Sequence, residues 1–176
     1  GMGKAADVRV FPVALSDRDG SAELVEYSDD TFNSLYRRPT TDLDQYRLSE
    51  TRTVTVPTTT LDGTVTETDL PAPSLIKVDV EGAELSVLKG AEATIGAALP
   101  AMLVEYAWIN TQNAGYPREH ILAELKKHGY VIGGLYRAED TRLHAGSALD
   151  SCRIWNLVCL PPRLAELAQW AKTPPE

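Results

Sequence analysis

The rhythm of apolar and polar positions changes near residue 75. Before it, "DVRVFPVALSD" is dense in Val and Phe and ends at the polar pair Ser16 and Asp17, which reads as a strand. "DRDG" carries turn chemistry, with Gly20 free to take positive φ. "SAELVEY" alternates, with Ala22, Leu24 and Tyr27 on one side, so the two segments suggest a hairpin. Residues 28–52 are polar and weakly periodic, a surface excursion with a short helix around "TDLDQYRLSE". "TRTVTVPTTTLDG" has the β-branched density of a strand, with Pro57 at an edge or bend. "VTETDLPAPS" reads as a loop stopped by two prolines.

From residue 75, "LIKVDV" reads as a short strand, and "AELSVLKGAEATIGAAL" sets Leu85, Leu88, Ala91, Ile95 and Leu99 at helical spacing. "AMLVEYA" is a second buried strand. "PREHILAELKKHG" is a helix opened by Pro117 and closed by Gly129. "YVIGGLYR", its adjacent glycines read as a kink, and "RIWNLVCLP" form an antiparallel pair of strands, and "PPRLAELAQWAK" is a closing helix. Alternation of this kind defines an α/β sheet with helices on its faces. The 176 residues suit one domain. It divides into a start at 1–7, a hairpin and excursion at 8–70, an α/β core at 71–160, and a closing helix and tail at 161–176. The opening Gly before Met reads as the remnant of a cleaved tag.

Charge and cysteine content narrow the partners. The net charge is -8, and the basic clusters "YRRP" and "LKKHG" hold two cations each, so no basic stripe for nucleic acid is present. No apolar run approaches the ~18 residues of a membrane-spanning helix. If "SCRIWNLVCL" is one strand, Cys152 and Cys159 stand more than ~20 Å apart, beyond the ~7 Å reach of a disulfide. Two thiols suit a reducing, cytoplasmic setting. His120, His128 and His144 show no ligand spacing, and no metal is expected.

The candidate chemistry lies in "LIKVDVEGAE", where Asp79, Glu81 and Glu84 follow an apolar run. Ligands of open parallel sheets bind at the carboxyl ends of strands. Side chains two apart face one side of an extended chain, so Asp79 and Glu81 can share a cavity. Equally, Glu81 and Glu84 could only complement the positive end of the next helix, worth roughly 0.3–1 kcal/mol. Lys77 reads as a solvated or salt-bridged strand residue. Glu105, at the end of the "AMLVEYA" strand, either lines the same cleft or starts a helix. Tyr106 and Trp108 either wall a substrate pocket or pack.

"LIKVDVEGAELSVLKGA" closely resembles the signature of the FkbM-type methyltransferases, which use S-adenosylmethionine. "VALSDRDGSAEL", "NSL" at Asn33 to Leu35, "VPTTTLDG", "PAMLVEYA" and the Gly129–Tyr130 pair resemble family landmarks in the same order, over about residues 8–160. The resemblance implies a class I methyltransferase-like (Rossmann-like) sheet with a reversed last strand. It implies methyl transfer to a hydroxyl of a sugar, lipid or natural-product scaffold, with Asp79 as base or lining group and Glu81 orienting the substrate. Glu105 and Tyr106 are the candidates for the substrate side. Ser16, Asp17 and Asp79 would remain toward the cofactor, although Asp17 also reads as a turn residue.

No Gly-rich cofactor turn occurs in the chain, so the resemblance covers the C-terminal two-thirds of such a domain. The sheet is expected to be N-terminally incomplete, and cofactor binding by this chain alone is in question. "LIKVDV" would then present an open edge. That edge is expected to meet another copy, as a homo-oligomer, or the segments of residues 8–60. The second reading is a non-catalytic remnant acting as a binding or assembly module.

Overall fold

The strands form two sheets in the computed structural model, which describes residues 8–136, 143–151 and 153–168. The first contains β1 (Ala14–Leu15), β2 (Gly20–Tyr27) and β3 (Glu50–Thr59), ordered β1-β3-β2. Ala22 lies opposite Val56 and Leu24 opposite Val54, so the hairpin partner of β2 is β3 and not β1. β1 instead runs parallel to β3 on its other side, over two residues. Pro12 explains the short ladder, because it has no N–H to donate just before β1. Val8 and Val10, in the same apolar run, stay 78% and 84% exposed.

The supposed loop after β3 begins as a helix, α2 (Leu61–Thr68). Thr60 caps it, its hydroxyl oxygen accepting from the Gly63 N–H at 3.0 Å. Thr64 and Thr68 hydroxyls donate to carbonyls four residues back, at 2.9 and 2.6 Å. These back-bonds satisfy the Thr hydroxyls within the helix, in a stretch whose sequence reads as the end of a strand followed by a loop. The excursion before β3 contains the expected short helix, α1 (Thr40–Tyr46), but it is not a surface feature. Ser34, Arg38 and Asp42 are all buried, and they fold over the carboxyl end of the second sheet.

That second sheet contains β4 (Leu75–Val78), β5 (Ala101–Glu105), β6 (Val131–Tyr136) and β7 (Ile154–Leu160), ordered β4-β5-β7-β6. β4 and β5 are parallel, and β7 is antiparallel to both neighbours, as the α/β pattern with a reversed last strand requires. The single helix expected after β4 is two, α3 (Glu84–Lys89) and α4 (Glu92–Ala98). The break falls at Gly90, where an added Cβ would lie 1.9 Å from the Ser16 carbonyl oxygen. A helix missed by the pattern, α5 (Trp108–Asn113), follows β5, and α6 (Glu119–Lys127) forms as expected. Gly134 serves close packing, since a Cβ there would lie 2.8 Å from Ile154 and Leu149 side-chain carbons. Only the beginning of the closing helix is described, as a 3-10 turn at Pro162–Leu167. Its remainder, Cys152 and the first seven residues lie outside the described residues.

One apolar core joins the second sheet to α3, α4 and α6, with Leu15 and Leu61 packed against it. Val104, Ile121, Ile154 and Leu157 are completely buried in it, each such side chain contributing roughly 1.5–3 kcal/mol on burial. β4 ends the sheet, and among the described residues no strand pairs with its outer side. A cavity of about 610 Å³ lies there, walled by Leu24, Leu35 and Leu61 opposite Ile76 and Val78. The segments of residues 8–60 therefore stand beside the open edge without pairing to it. Their central strand, β3, is already flanked on both sides.

Candidate active site

The turn after β4 is built for one shape. Glu81 takes φ 50° and Gly82 φ 109°, a region that side chains rarely adopt. A Cβ on Gly82 would also lie 2.9 Å from the Asn110 carbonyl oxygen. The Glu84 carboxylate accepts from the Val80 N–H at 3.1 Å and from the Gly82 N–H at 3.1 and 3.2 Å. Ser34 donates its hydroxyl to the Glu81 carbonyl at 2.7 Å, and Tyr116 donates to the Gly82 carbonyl at 2.9 Å. Glu84 therefore holds the turn, while Glu81 is turned outward to a different partner.

That partner is Arg38. Its guanidinium bonds Glu81 and reaches the Asn110 side-chain oxygen at 3.3 Å. Asn110 Nδ2 donates to Glu81 at 3.0 Å and to Glu105 at 3.1 Å. Asp79, further out, pairs with Lys77 at 2.6 Å. Carboxylate oxygens of Asp79, Glu81 and Glu105 lie within 4.8 Å of one another. Two cations and an amide already compensate this group, and we do not read it as a metal centre.

Burial and the neighbouring charges of Glu81, Glu84 and Asp79 push the Glu105 carboxyl up to about 8, against the pull of the Asn110 hydrogen bond. Burial also raises Glu81, opposed by Arg38. Glu84 is raised by burial too, opposed by its backbone N–H bonds. Glu84 raises Glu105 by its charge, and Glu105 lowers Glu84. The proton between them belongs on Glu105, because the Glu84 oxygens already accept from N–H donors.

A cavity of about 150 Å³ opens on this group, walled by Phe32, Tyr46, Ile109 and Trp155 with Arg38, Glu81, Glu105 and Asn110 at its polar side. At ~30 Å³ per water it holds about five waters, which is room for one ring and not for a chain of rings. The larger cavity beside β4 is four times the volume but aliphatic. Its polar lining, Asn33, Ser34 and Lys77, is already engaged, with Tyr27, Glu81 and Asp79 respectively. The chemistry is in the smaller one.

The structure brings Asp79, Glu81 and Glu105 together and leaves Ser16 and Asp17 apart from them. Ser16 lies against Gly90, at the far end of α3 from Glu84, and Asp17 is exposed beside Arg18. Tyr106 does not line the acid cavity; it is fully buried with Arg118 stacked on its ring at 4.6 Å. Trp108 borders a separate hollow with Gln112 and Arg118. Arg38, Asn110, Phe32, Tyr46 and Trp155 are the site residues that sequence reasoning missed. The one available signal was the position of Arg38, three residues after "NSL", but its doublet "RR" resembles any solvated pair.

An α/β sheet with a buried, compensated group of acids at the carboxyl ends of adjacent parallel strands is a Rossmann-like arrangement, with the acids where such sheets place their ligands. The family model of the methyltransferase FkbM domain matches residues 4–132, and the chain belongs to that family. Among solved structures, it is similar to the crystal structure of methyltransferase FkbM from Methylobacillus flagellatus KT. The identity is 23% and the TM-score 0.39, over 60% of this chain and 23% of that one. The chain thus spans under a quarter of the length of that protein. No curated protein matches significantly.

Such a family implies S-adenosylmethionine as methyl donor. Its ribose diol, ammonium and carboxylate require free hydrogen-bonding groups, and the cavity beside β4 offers only aliphatic walls and three engaged polar residues. The residues described here do not form a cradle for it.

Proposed function

We propose that this chain serves the acceptor side of S-adenosylmethionine-dependent methylation of a hydroxyl group. The observation that carries this reading is Glu105, buried at the acid cavity of an FkbM-domain chain and raised to about 8. An alcohol is a weak nucleophile, and a carboxylate that takes its proton typically contributes ~10²–10⁴-fold. Ideal bases titrate near the working pH, which favours Glu105 over Asp79, itself on the rim and paired with Lys77. Aromatic walls with two carboxyls, an amide and a guanidinium suit one hydroxylated ring, of a sugar or natural product, better than an acyl chain. Among the described residues no helix is long and apolar enough to cross a membrane. Burial pushes the Cys159 thiol up to about 12, so it is unreactive, in keeping with a reducing, cytoplasmic setting.

Saturation-transfer NMR with glucose, inositol, catechol and octanol tests the acceptor cavity, and calorimetry with S-adenosylhomocysteine tests the donor. A ring compound binds, loses affinity in Trp155→Ala, and the nucleoside gives no saturable heat. If no hydroxylated compound binds, the acceptor reading fails. The second reading, an assembly module, is favoured by the open side of β4, with Leu75 exposed on that strand, and by exposed Val8 and Val10. A homo-oligomer through that edge would sediment as a dimer at micromolar concentration and as a monomer in Lys77→Pro.

A further inference from the structure

Two carboxyls meet one amide in this site. Asn110 Nδ2 donates to Glu81 and Glu105 at almost equal distances, 3.0 and 3.1 Å. The amide therefore does not distinguish them. What distinguishes them is Arg38, which bonds Glu81 and, among the described residues, forms no ion pair with Glu105. Arg38 has little freedom to change partner. Its Nε donates to the Phe32 carbonyl at 3.4 Å and its guanidinium lies 4.9 Å over the Phe32 ring. Its backbone N–H donates to the Tyr27 hydroxyl at 2.8 Å, and Asp42 stands 3.9 Å behind Nη1.

We infer that Arg38 is a positioning residue that decides which carboxyl carries the mobile proton: by holding Glu81 ionised, it leaves Glu105 as the protonatable group facing the cavity. The catalytic meaning of this rests on the proposed function, but the address of the proton does not. The other charged and titratable groups around Glu105 are Asp79 and Lys77 from β4 and its end, Glu84 from α3, Tyr116 beside Glu84 at 3.5 Å, and Asp42 behind Arg38. None of them separates Glu81 from Glu105 as directly as a guanidinium bonded to one alone. Without Arg38, Glu81 becomes a half-buried carboxylate with only an amide partner, and the proton moves from Glu105 to Glu81. Nothing is oxidised or reduced, and no co-reactant enters.

The test is a side-chain carboxyl carbon-13 NMR titration of the unliganded protein, with Glu81→Gln and Glu105→Gln for assignment. In the wild type and in Arg38→Lys, Glu105 titrates above Glu81. In Arg38→Met and Arg38→Gln the order reverses, Glu105 moving down by about one pH unit or more, the scale set by one adjacent charge. A purely structural Arg38 would leave the order unchanged, and that result overturns the inference. If both neutral variants unfold, Glu81→Gln decides: Glu105, now the sole carboxyl on the amide, has to titrate lower, and an unmoved midpoint is fatal. Failure of every hydroxylated compound to bind would sink the acceptor reading while leaving these titrations as they are.

Discussion

Replacing Glu105 by Gln should make the protein's stability less dependent on pH, and more so than any other single acid substitution. Glu105 is 8% exposed, and its carboxyl titrates at about 8 in place of 4.5. Between those values the folded state keeps a proton that the unfolded state has released. Unfolded chains therefore bind fewer protons, and stability falls as pH rises, by ~1.4 kcal/mol per pH unit for one such group. Across the whole window the loss is of order 5 kcal/mol, a large part of the 5–15 kcal/mol typical of a domain. Below pH 4.5 both states are protonated and the contribution is fully favourable; above about 8 the penalty is complete. Gln is neutral throughout and keeps the shape of the side chain. Urea unfolding at half-unit steps from pH 5 to 8.5 should give a steep decline for the wild type and a shallower one for Glu105→Gln. The variant should be more stable by several kcal/mol at pH 8 and within ~1 kcal/mol at pH 5. Parallel curves would refute the reasoning, and flattening by Glu84→Gln in its place would put the proton on the wrong residue.

Three further substitutions probe the frame. Gly82→Ala combines φ 109° with a Cβ 2.9 Å from the Asn110 carbonyl, and should cost at least ~1–3 kcal/mol, a fall of about 2–4 °C in Tm per kcal/mol by scanning calorimetry. Asp62 accepts from the Ala93 and Thr94 N–H groups at 3.0 and 2.7 Å, in the first turn of α4. Asp62→Ala should destabilise by ~1 kcal/mol and speed hydrogen exchange at those two amides; unchanged exchange would refute the cap. Tyr106 is fully buried and, among the described residues, has no partner for its hydroxyl, and an unsatisfied buried group costs ~1–3 kcal/mol. Tyr106→Phe should therefore be neutral or stabilising in urea and leave acceptor binding unchanged, whereas weakened binding would restore a substrate-side role for the hydroxyl.

Local pattern revealed much of the second sheet, because β4, α6 and the β6–β7 pair each bury a face whose period is written in consecutive residues. It revealed the acids for the same reason: Asp79, Glu81 and Glu84 follow one strand directly. It failed where a structural cause is distant in sequence. The break between α3 and α4 is marked locally only by Gly90, and the reason a glycine is needed there is the Ser16 carbonyl, 74 residues earlier, lying against it. Thr-rich α2 reads as the end of a strand running into a loop until its hydroxyls are seen to bond backwards onto the helix. Arg38 is the most consequential case. A buried guanidinium is tolerated only when its partners are assembled around it, and here they come from Glu81 and Asn110, 43 and 72 residues away. A motif names the acids at a strand end, but it does not say which acid is ionised. In this chain that difference is imposed by an arginine on a polar excursion, so the excursion belongs to the site as fully as the motif does.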